Sequence, residues 1–336
     1  MERQVRKTWY VKEEDTMTTL FVAKQYIKGF ISKYEVYLKP LLKLVLALTA
    51  LMIINGKIGY MHRLDSISIV LILALMCSFM PMNFIIFVAA AFVVMHMYTL
   101  GLECAALTLI LFLVLFLLYF RFSPKDTIVV LLTPLGFMIG IPYAVPLVMG
   151  LVGTPVSAIS VGCGVIVMYF INYMAEIAPA VSGMDEGDMA GKFRFIIDGF
   201  MDRKEMLLLI AAFAVTIIVV YLIRRLSIDY AWTIAIISGA LVDVMILLVG
   251  DLSFDMEISI AGLIVGTIFS VAIAKLVELF AFHLDYSRTE KVQFEDDEYY
   301  YYVKAVPKIT VAAPSRTVKK INASRRRPSG SGQAHR

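Results

Sequence analysis

One carboxylic acid lies deep within an apolar segment. Asp243 occurs in IAIISGALVDVMILLVG, a run that contains no other charged residue. An ionised carboxylate at the centre of a membrane helix costs roughly 2.5–3.5 kcal/mol on insertion scales, so such residues face the protein interior or a water-filled cavity. The residue type therefore predicts a proton or cation site. The alternative interpretation is a protonated or hydrogen-bonded carboxyl group that only fixes helix packing.

A second unusual feature is the stretch PLGFMIGIPYAVPLVMGLVGTP, residues 134–155. Within this apolar context lie four prolines and four glycines: Pro134, Pro142, Pro146, Pro155, Gly136, Gly140, Gly150 and Gly153. Proline lacks an amide donor and glycine permits unusual backbone angles, so a continuous helix is disfavoured. Because broken backbone at membrane depth must be buried in protein or line a watery cavity, we predict a re-entrant or discontinuous element at 130–153. A single kinked helix over 127–150 is the alternative.

Small residues recur on two further predicted helix faces. One face, which follows the broken stretch, would form the wall of a transport pathway, and the other is a small-xxx-small pair that lets two helices approach closely. For the second face we favour contacts within the chain over a dimer interface. The candidate pathway residues are Asp243, Pro134, Gly136, Gly140, Pro142, Pro146, Gly153, Thr154, Ser157 and Ser160, and the candidate packing residues are Gly262 and Gly266.

These residues must be positioned by membrane helices. Of the 336 residues, 60% are hydrophobic and 17% are charged, against about 45–50% and about 25% in soluble domains. The long apolar runs predict an all-α polytopic integral membrane protein, with a cytoplasmic N-terminal segment (1–40), a transmembrane domain (41–283) and a cytoplasmic tail (284–336). The predicted spans begin at residue 41 and continue at 66–80, 82–100, 102–120, 154–180, 205–223, 229–250 and 257–282.

The distribution of charge predicts which side of the membrane each connection occupies. Short cytoplasmic loops carry an excess of Lys and Arg, which places Lys125, Arg224 and Arg225 inside. For all of these to be inside, the chain must cross the membrane an odd number of times between Lys125 and Asp185. One full span at 154–180 preceded by a re-entrant element meets this condition. We therefore expect eight transmembrane helices, both termini in the cytoplasm and a plasma-membrane location.

The two ends of the chain suggest contacts outside the bundle. Residues 16–37 combine an apolar face with Lys24, Lys28 and Lys33, a pattern typical of a basic amphipathic helix at the headgroup layer. Packing of that helix on the protein's own cytoplasmic side is the alternative, and Pro40 is expected to end it. In the tail, the basic run at 325–327 favours contact with anionic lipids over nucleic acid.

The tail also contains an acidic block followed by four tyrosines: Tyr299, Tyr300, Tyr301 and Tyr302. Aromatic and β-branched residues here favour short strands or an extended peptide that adds to a partner's sheet. A largely disordered, tethered segment is the alternative, and disorder is expected beyond Pro314. These tyrosines are therefore the candidate residues for binding a protein partner.

Two function classes follow from these features. The first is a membrane transporter or permease-like subunit, which the short loops and many apolar runs favour. The second is a non-enzymatic scaffold or accessory subunit that recruits a partner through its tail. The chain contains no GxxxxGK[ST], HExxH or GxSxG motif, so we expect no enzyme activity, no cofactor and no metal site; an intramembrane enzyme ranks third.

Overall fold

The computed structural model describes residues 23–24, 26–184, 189–228, 230–254, 259–281, 290–295 and 300–305. The chain divides into two compact units, one comprising residues 27–283 and the other comprising residues 1–26 and 284–336. Within the larger unit every regular element of the described residues is a helix. The protein is therefore an all-α polytopic membrane protein, as the sequence predicts.

Besides a helical segment over 26–33, the larger unit contains eleven helices in its described part. They are α1 (Glu35–Ile58), α2 (Ile67–Phe79), α3 (Met82–Leu100), α4 (Leu102–Phe122), α5 (Thr127–Ile139), α6 (Ala144–Val152), α7 (Ser157–Ser182), α8 (Met189–Met201), α9 (Lys204–Arg224), α10 (Ala231–Phe254) and α11 (Ile260–Ala281). Seven of them, α1, α3, α4, α7, α9, α10 and α11, are long and apolar enough to cross a membrane. The predicted count of eight spans also includes the shorter apolar helix α2, and it stays a prediction.

The N-terminal helix boundary differs from the expectation. Pro40 lies inside α1 and does not end a helix; the bend instead falls at Tyr34, between a helical segment over 26–33 and α1. A proline removes only its own amide donor and crowds one carbonyl a turn earlier, so a helix near its start can continue past it. Of the predicted interfacial helix, residues 16–22 and 25 lie outside the described residues.

The two halves of the broken segment pack against helices of the larger unit. α5 packs mainly on α7, whereas α6 packs on α9 and α11. α9 and α10 form the most extensive helix pair, and α1 packs on α2 and α3. The two halves of the broken segment therefore contact different helices.

Helix α8 is a short amphipathic helix between α7 and α9. Its buried residues are Lys192, Ile196 and Phe200. The ammonium group of Lys192 lies 4.0 Å from a carboxylate oxygen of Glu103 at the start of α4, and both side chains are only 9% exposed. This ion pair fixes α8 against the end of the bundle at which α4 begins.

The described part of the smaller unit includes a β-hairpin. β1 (Glu290–Glu295) pairs with β2 (Tyr300–Ala305) in antiparallel register, with Glu290 opposite Ala305 and Glu295 opposite Tyr300. For this region the sequence favours short strands or an extended peptide, and the described residues form short strands. Residues 306–336, including the basic run at 325–327 and the end predicted to be disordered, lie outside the described residues.

Candidate functional site

The broken segment consists of two helices joined by a turn at residues 140–143. Gly140 has a φ of +80°, a left-handed conformation that glycine adopts without the steric cost of a side chain. The amide of Ile141 donates to the carbonyl of Gly136 at 2.9 Å, and the amide of Gly140 donates to that of Phe137 at 3.3 Å. This pair of bonds is a Schellman motif, which ends α5.

The positions of the prolines and of Gly136 explain why helix α6 can begin immediately after the turn. Pro142 lies in the turn, and Pro146 lies in the first turn of α6, where the backbone amides have no helical acceptor and a proline costs no hydrogen bond. A β-carbon on Gly136 would lie 3.3 Å from the Cα atom of Pro142. Gly136 therefore lets the turn fold closely against the end of α5.

Both ends of the broken segment lie near the same end of the bundle. Just before α5, the hydroxyl group of Ser123 is hydrogen-bonded to that of Ser160 at the start of α7. Just after α6, the carbonyl of Gly153 accepts a 2.7 Å hydrogen bond from Arg224 at the end of α9. Because Arg203 at the start of α9 pairs with Glu176 near the end of α7, these two helices are antiparallel, and the start of α7 lies beside the end of α9.

The turn itself lies halfway along these helices, within a group of aromatic side chains. The ring of Phe137 lies 6.3 Å from that of Tyr169 in α7 and 6.2 Å from that of Phe213 in α9. Tyr143 packs edge-on against Phe213 at 6.3 Å. The broken segment is therefore covered by protein on the side of these rings, whereas Ile139 at its tip is 70% exposed.

Asp243 lies in the middle of α10 and is 1% exposed. One of its oxygens, Oδ1, accepts a hydrogen bond from the hydroxyl group of Thr216 in α9 at 3.2 Å. Its other oxygen, Oδ2, is buried and has no hydrogen-bond partner in the described chain. One turn before Asp243, a β-carbon on Gly239 would lie 3.0 Å from the side chain of Leu147 in α6, and one turn after it, Leu247 lines a cavity together with Tyr143. The structure thus places the buried acid beside the tip of the broken segment.

A cavity of about 190 Å³ extends from the turn toward the end of the bundle at which α9 begins. It is lined by Phe137, Pro142, Tyr143, Tyr169, Glu205, Leu208, Leu209 and Leu247. Leu247 lies one helical turn after Asp243 on α10, and Glu205 lies in the first turn of α9. The cavity therefore connects the half-buried carboxylate of Glu205 with the region of the buried acid.

Arg224 fixes the far end of α6. Its guanidinium group donates to the carbonyl of Leu151 as well as to that of Gly153. The last carbonyls of a helix lack helical donors and carry the negative end of the helix dipole. A single arginine therefore satisfies two of them and joins α6 to the end of α9.

The predicted polar face of α7 is divided between several contacts. Ser160 bonds Ser123, and Ser157 accepts a hydrogen bond from the amide of Thr154 at 3.3 Å. A β-carbon on Gly164 would lie 2.5 Å from the Cβ atom of Thr133 in α5. This face packs against α5 and the connection before it, and its role as a pathway wall stays a prediction.

The two candidate packing glycines lie in different surroundings. A β-carbon on Gly266 would lie 3.0 Å from the carbonyl oxygen of Gly140 and 3.0 Å from the ring of Tyr143. A β-carbon on Gly262 would meet only Ser259, one turn earlier in the chain. Gly266 thus lets α11 approach the turn, whereas Gly262 lies on an open face.

The remaining candidates lie apart from this site. Pro134 is inside α5 and lines a separate apolar cavity of about 90 Å³, together with residues of α1, α3, α4 and α7. Tyr299 lies outside the described residues, and Tyr300, Tyr301 and Tyr302 are in β2. Their predicted role in binding a partner stays a prediction.

Several residues of the site are not among the sequence candidates. They are Thr216, Arg224, Glu205, Phe137, Tyr143, Tyr169 and Phe213. Tyr143 carried a usable signal, because it follows Pro142 inside the broken stretch and supplies the only hydroxyl group between residues 134 and 153. Phe137 lies in the same stretch but carries no polar group, and the others lie on α7 and α9.

Comparisons with protein-family models, with curated proteins and with solved structures give no match to this chain.

Proposed function

We propose that this protein is a membrane transporter or a permease-like transport subunit. The observation that carries the proposal is the position of Asp243, a buried acid beside a break in a membrane-embedded helix. Ionisable groups at membrane depth are expensive and are characteristic of ion and substrate pathways. Broken helices are likewise a common means of exposing backbone groups to a transported solute.

The surroundings of the break support this function. The cavity reaches the turn from one end of the bundle, while α6 and Arg224 close the other end. The halves of the segment pack on different helices, so α6 can move with α9 and α11 while α5 stays with α7. A cavity that reaches the turn, together with a segment whose halves pack on different groups of helices, supports a mechanism in which one group of helices moves against another.

The test compares solute content in inverted membrane vesicles from cells that express the wild type, Asp243→Asn or the control Glu278→Gln. Glu278 is an acid of α11 that forms an ion pair with Lys275 and lies outside the cavity lining. Mass spectrometry of the vesicle contents should show at least one solute altered by the wild type and by Glu278→Gln but not by Asp243→Asn. Equal amounts of monodisperse purified protein would confirm that the variants fold.

Normal flux in Asp243→Asn would contradict the proposal, because the buried acid would then have only a packing role. An unchanged solute profile for the wild type, in vesicles that contain the folded protein, would also count against it. Either result would direct attention to the tail.

A second candidate function is a membrane scaffold that recruits a partner, and the β1–β2 hairpin favours it. An isolated two-stranded hairpin is only marginally stable in water. Among the described residues the sheet has two strands, and the outer edge of such a strand can accept a further strand. Deleting residues 290–336 should then abolish function while leaving the helical unit folded. Full function in the deletion variant would exclude this candidate.

A further inference from the structure

We propose that the transported solute is coupled to a proton, which reaches Asp243 from the end of the bundle at which α9 begins, by way of Tyr169 and Tyr143. This inference rests on the transport function proposed above and identifies its coupling ion. It also assigns the path, for which the structure provides a cavity and an ordered series of polar groups.

The polar groups occur in sequence along the cavity. Glu205 is at the outer end, in the first turn of α9, and Tyr169 and Tyr143 line the same cavity further in. Asp243 lies one helical turn before Leu247, which lines the same cavity, so the buried acid follows the tyrosines at the inner end of this series. A cavity of about 190 Å³ has ample room for water molecules between these groups.

The ligands around Asp243 favour a proton over a metal cation. Sodium-sized and divalent hard cations require several oxygen ligands, but the hydrogen-bonding neighbour of this carboxyl group in the described chain is Thr216 alone. A proton needs only one oxygen, and the unpartnered Oδ2 atom provides it.

No cation in the described part of the bundle competes for this carboxylate. On α9, which packs against α10, Thr216 faces the acid, and Arg224 is eight residues further on, about 12 Å along the helix axis. On α11 the charged pair Lys275 and Glu278 contacts Thr233, ten residues from Asp243, or about 15 Å. In the turn and α6 the one titratable residue is Tyr143.

The proposed transfer conserves protons at each step. A proton from the aqueous phase binds Glu205, and each tyrosine hydroxyl group accepts one proton on its oxygen while passing its own proton inward. Asp243 gains the proton on Oδ2 and becomes neutral. Neutralisation removes the cost of a buried charge, and this change is what couples the acid to movement of the adjacent turn.

The experiment measures the carboxylic acid band of the full-length protein by infrared difference spectroscopy. The protein is reconstituted into lipid vesicles in a known orientation, and the pH is lowered on one side only. A protonated carboxyl band that is absent in Asp243→Asn should form rapidly when the acidified side is the one at which α9 begins. It should form slowly when the opposite side is acidified.

Substitutions of the two tyrosines distinguish a role of their hydroxyl groups in proton transfer from a role of their rings in packing. Tyr143→Phe and Tyr169→Phe each remove one hydroxyl group and should slow formation of the band, on the order of a hundredfold, as expected for loss of a positioned proton donor. The matched control is Tyr173→Phe, one turn further along α7, whose hydroxyl group donates to the carbonyl of Phe195. That variant should form the band at the wild-type rate.

Three outcomes would overturn the inference. They are a band that is insensitive to Asp243→Asn at every pH, equal rates from both sides, and equal rates in the three tyrosine variants. None of them depends on knowing the solute. If the vesicle assay shows solute flux but the carboxyl band of Asp243 does not change with pH, the transport function would stand and only the proposed coupling to a proton would be rejected.

Discussion

At the scale of single residues, the hydroxyl group of Thr216 is the expected stabiliser of the buried acid. Thr216→Val preserves the shape of the side chain but leaves both carboxyl oxygens of Asp243 without a partner. A buried polar group left without its hydrogen bond costs about 1–3 kcal/mol. We therefore expect a lower thermal unfolding midpoint for the purified variant.

The control for this prediction is Thr108→Val. Thr108 is also fully buried, but its hydroxyl group donates only to the carbonyl of Cys104 in its own helix, so its loss leaves no side chain unpaired. An unfolding midpoint for Thr216→Val equal to that of Thr108→Val would show that the hydrogen bond to Asp243 contributes nothing to stability.

Arg224 gives a second prediction at this scale. Its guanidinium group bonds two carbonyls at the end of α6, and a lysine ammonium is a point charge that cannot reproduce this planar fork. Arg224→Lys should lower the unfolding midpoint and increase thiol labelling of a cysteine introduced at Val152. Arg225→Lys is the control, since Arg225 is exposed and bonds only the hydroxyl group of Tyr221; equal labelling in the two variants would contradict the capping role.

At the scale of elements, the two glycines of the small-xxx-small pair on α11 should respond differently to one added methyl group. Gly266→Ala places a β-carbon 3.0 Å from the carbonyl oxygen of Gly140 and from the ring of Tyr143, so α11 must move away from the turn. The β-carbon of Gly262→Ala meets only Ser259, just before α11, at 3.4 Å or more, and the variant gains the higher helix propensity of alanine.

We therefore expect Gly266→Ala to be destabilised and Gly262→Ala to be neutral or slightly more stable. Both variants would be compared by thermal unfolding of the purified protein. Similar destabilisation in the two variants would mean that the spacing of the pair, and not the contact with the turn, determines the packing of α11.

The elements show how far the sequence could predict the structure. Most helix boundaries in the bundle lie within a few residues of the apolar runs, because burial in lipid requires a continuous apolar segment of sufficient length. The position of the break followed from Gly140 and Pro142. Pro134, which carried the same signal, lies instead inside an intact helix, since one missing amide can be tolerated where neighbouring helices support the backbone.

The contacts that form the site could not be predicted in the same way. Arg224 and the carbonyl of Leu151 are separated by 73 residues, and Thr216 and Asp243 by 27 residues. Their meeting depends on how α6, α9 and α10 pack, and periodicity within one helix carries no information about it. The charge on Arg224 indicated only a side of the membrane, although the same charge also holds the end of α6.

For the whole molecule, the membrane sidedness of the broken segment determines the topology of everything that follows it. If the segment re-enters, its two ends share one face of the membrane. The contacts of Ser123 with Ser160 and of Arg224 with Gly153 place both ends at one end of the bundle. We therefore expect cysteines at Lys125 and Thr154 to be labelled from the same side, and a cysteine at Met201 from the opposite side.

The measurement uses a membrane-impermeant thiol reagent on intact cells and on inverted vesicles, in a background from which Cys77, Cys104 and Cys163 have been removed. Thr154 is preferable to Gly153 because it is exposed, whereas a β-carbon at Gly153 would lie 2.8 Å from the hydroxyl group of Ser157. Cytoplasmic labelling at both Lys125 and Thr154 supports eight crossings with both termini inside. Labelling of Met201 from the same side as Lys125, with Thr154 labelled from the opposite side, would make 127–152 a complete crossing, reverse the sides of α9, α10 and α11, and place the tail outside the cell.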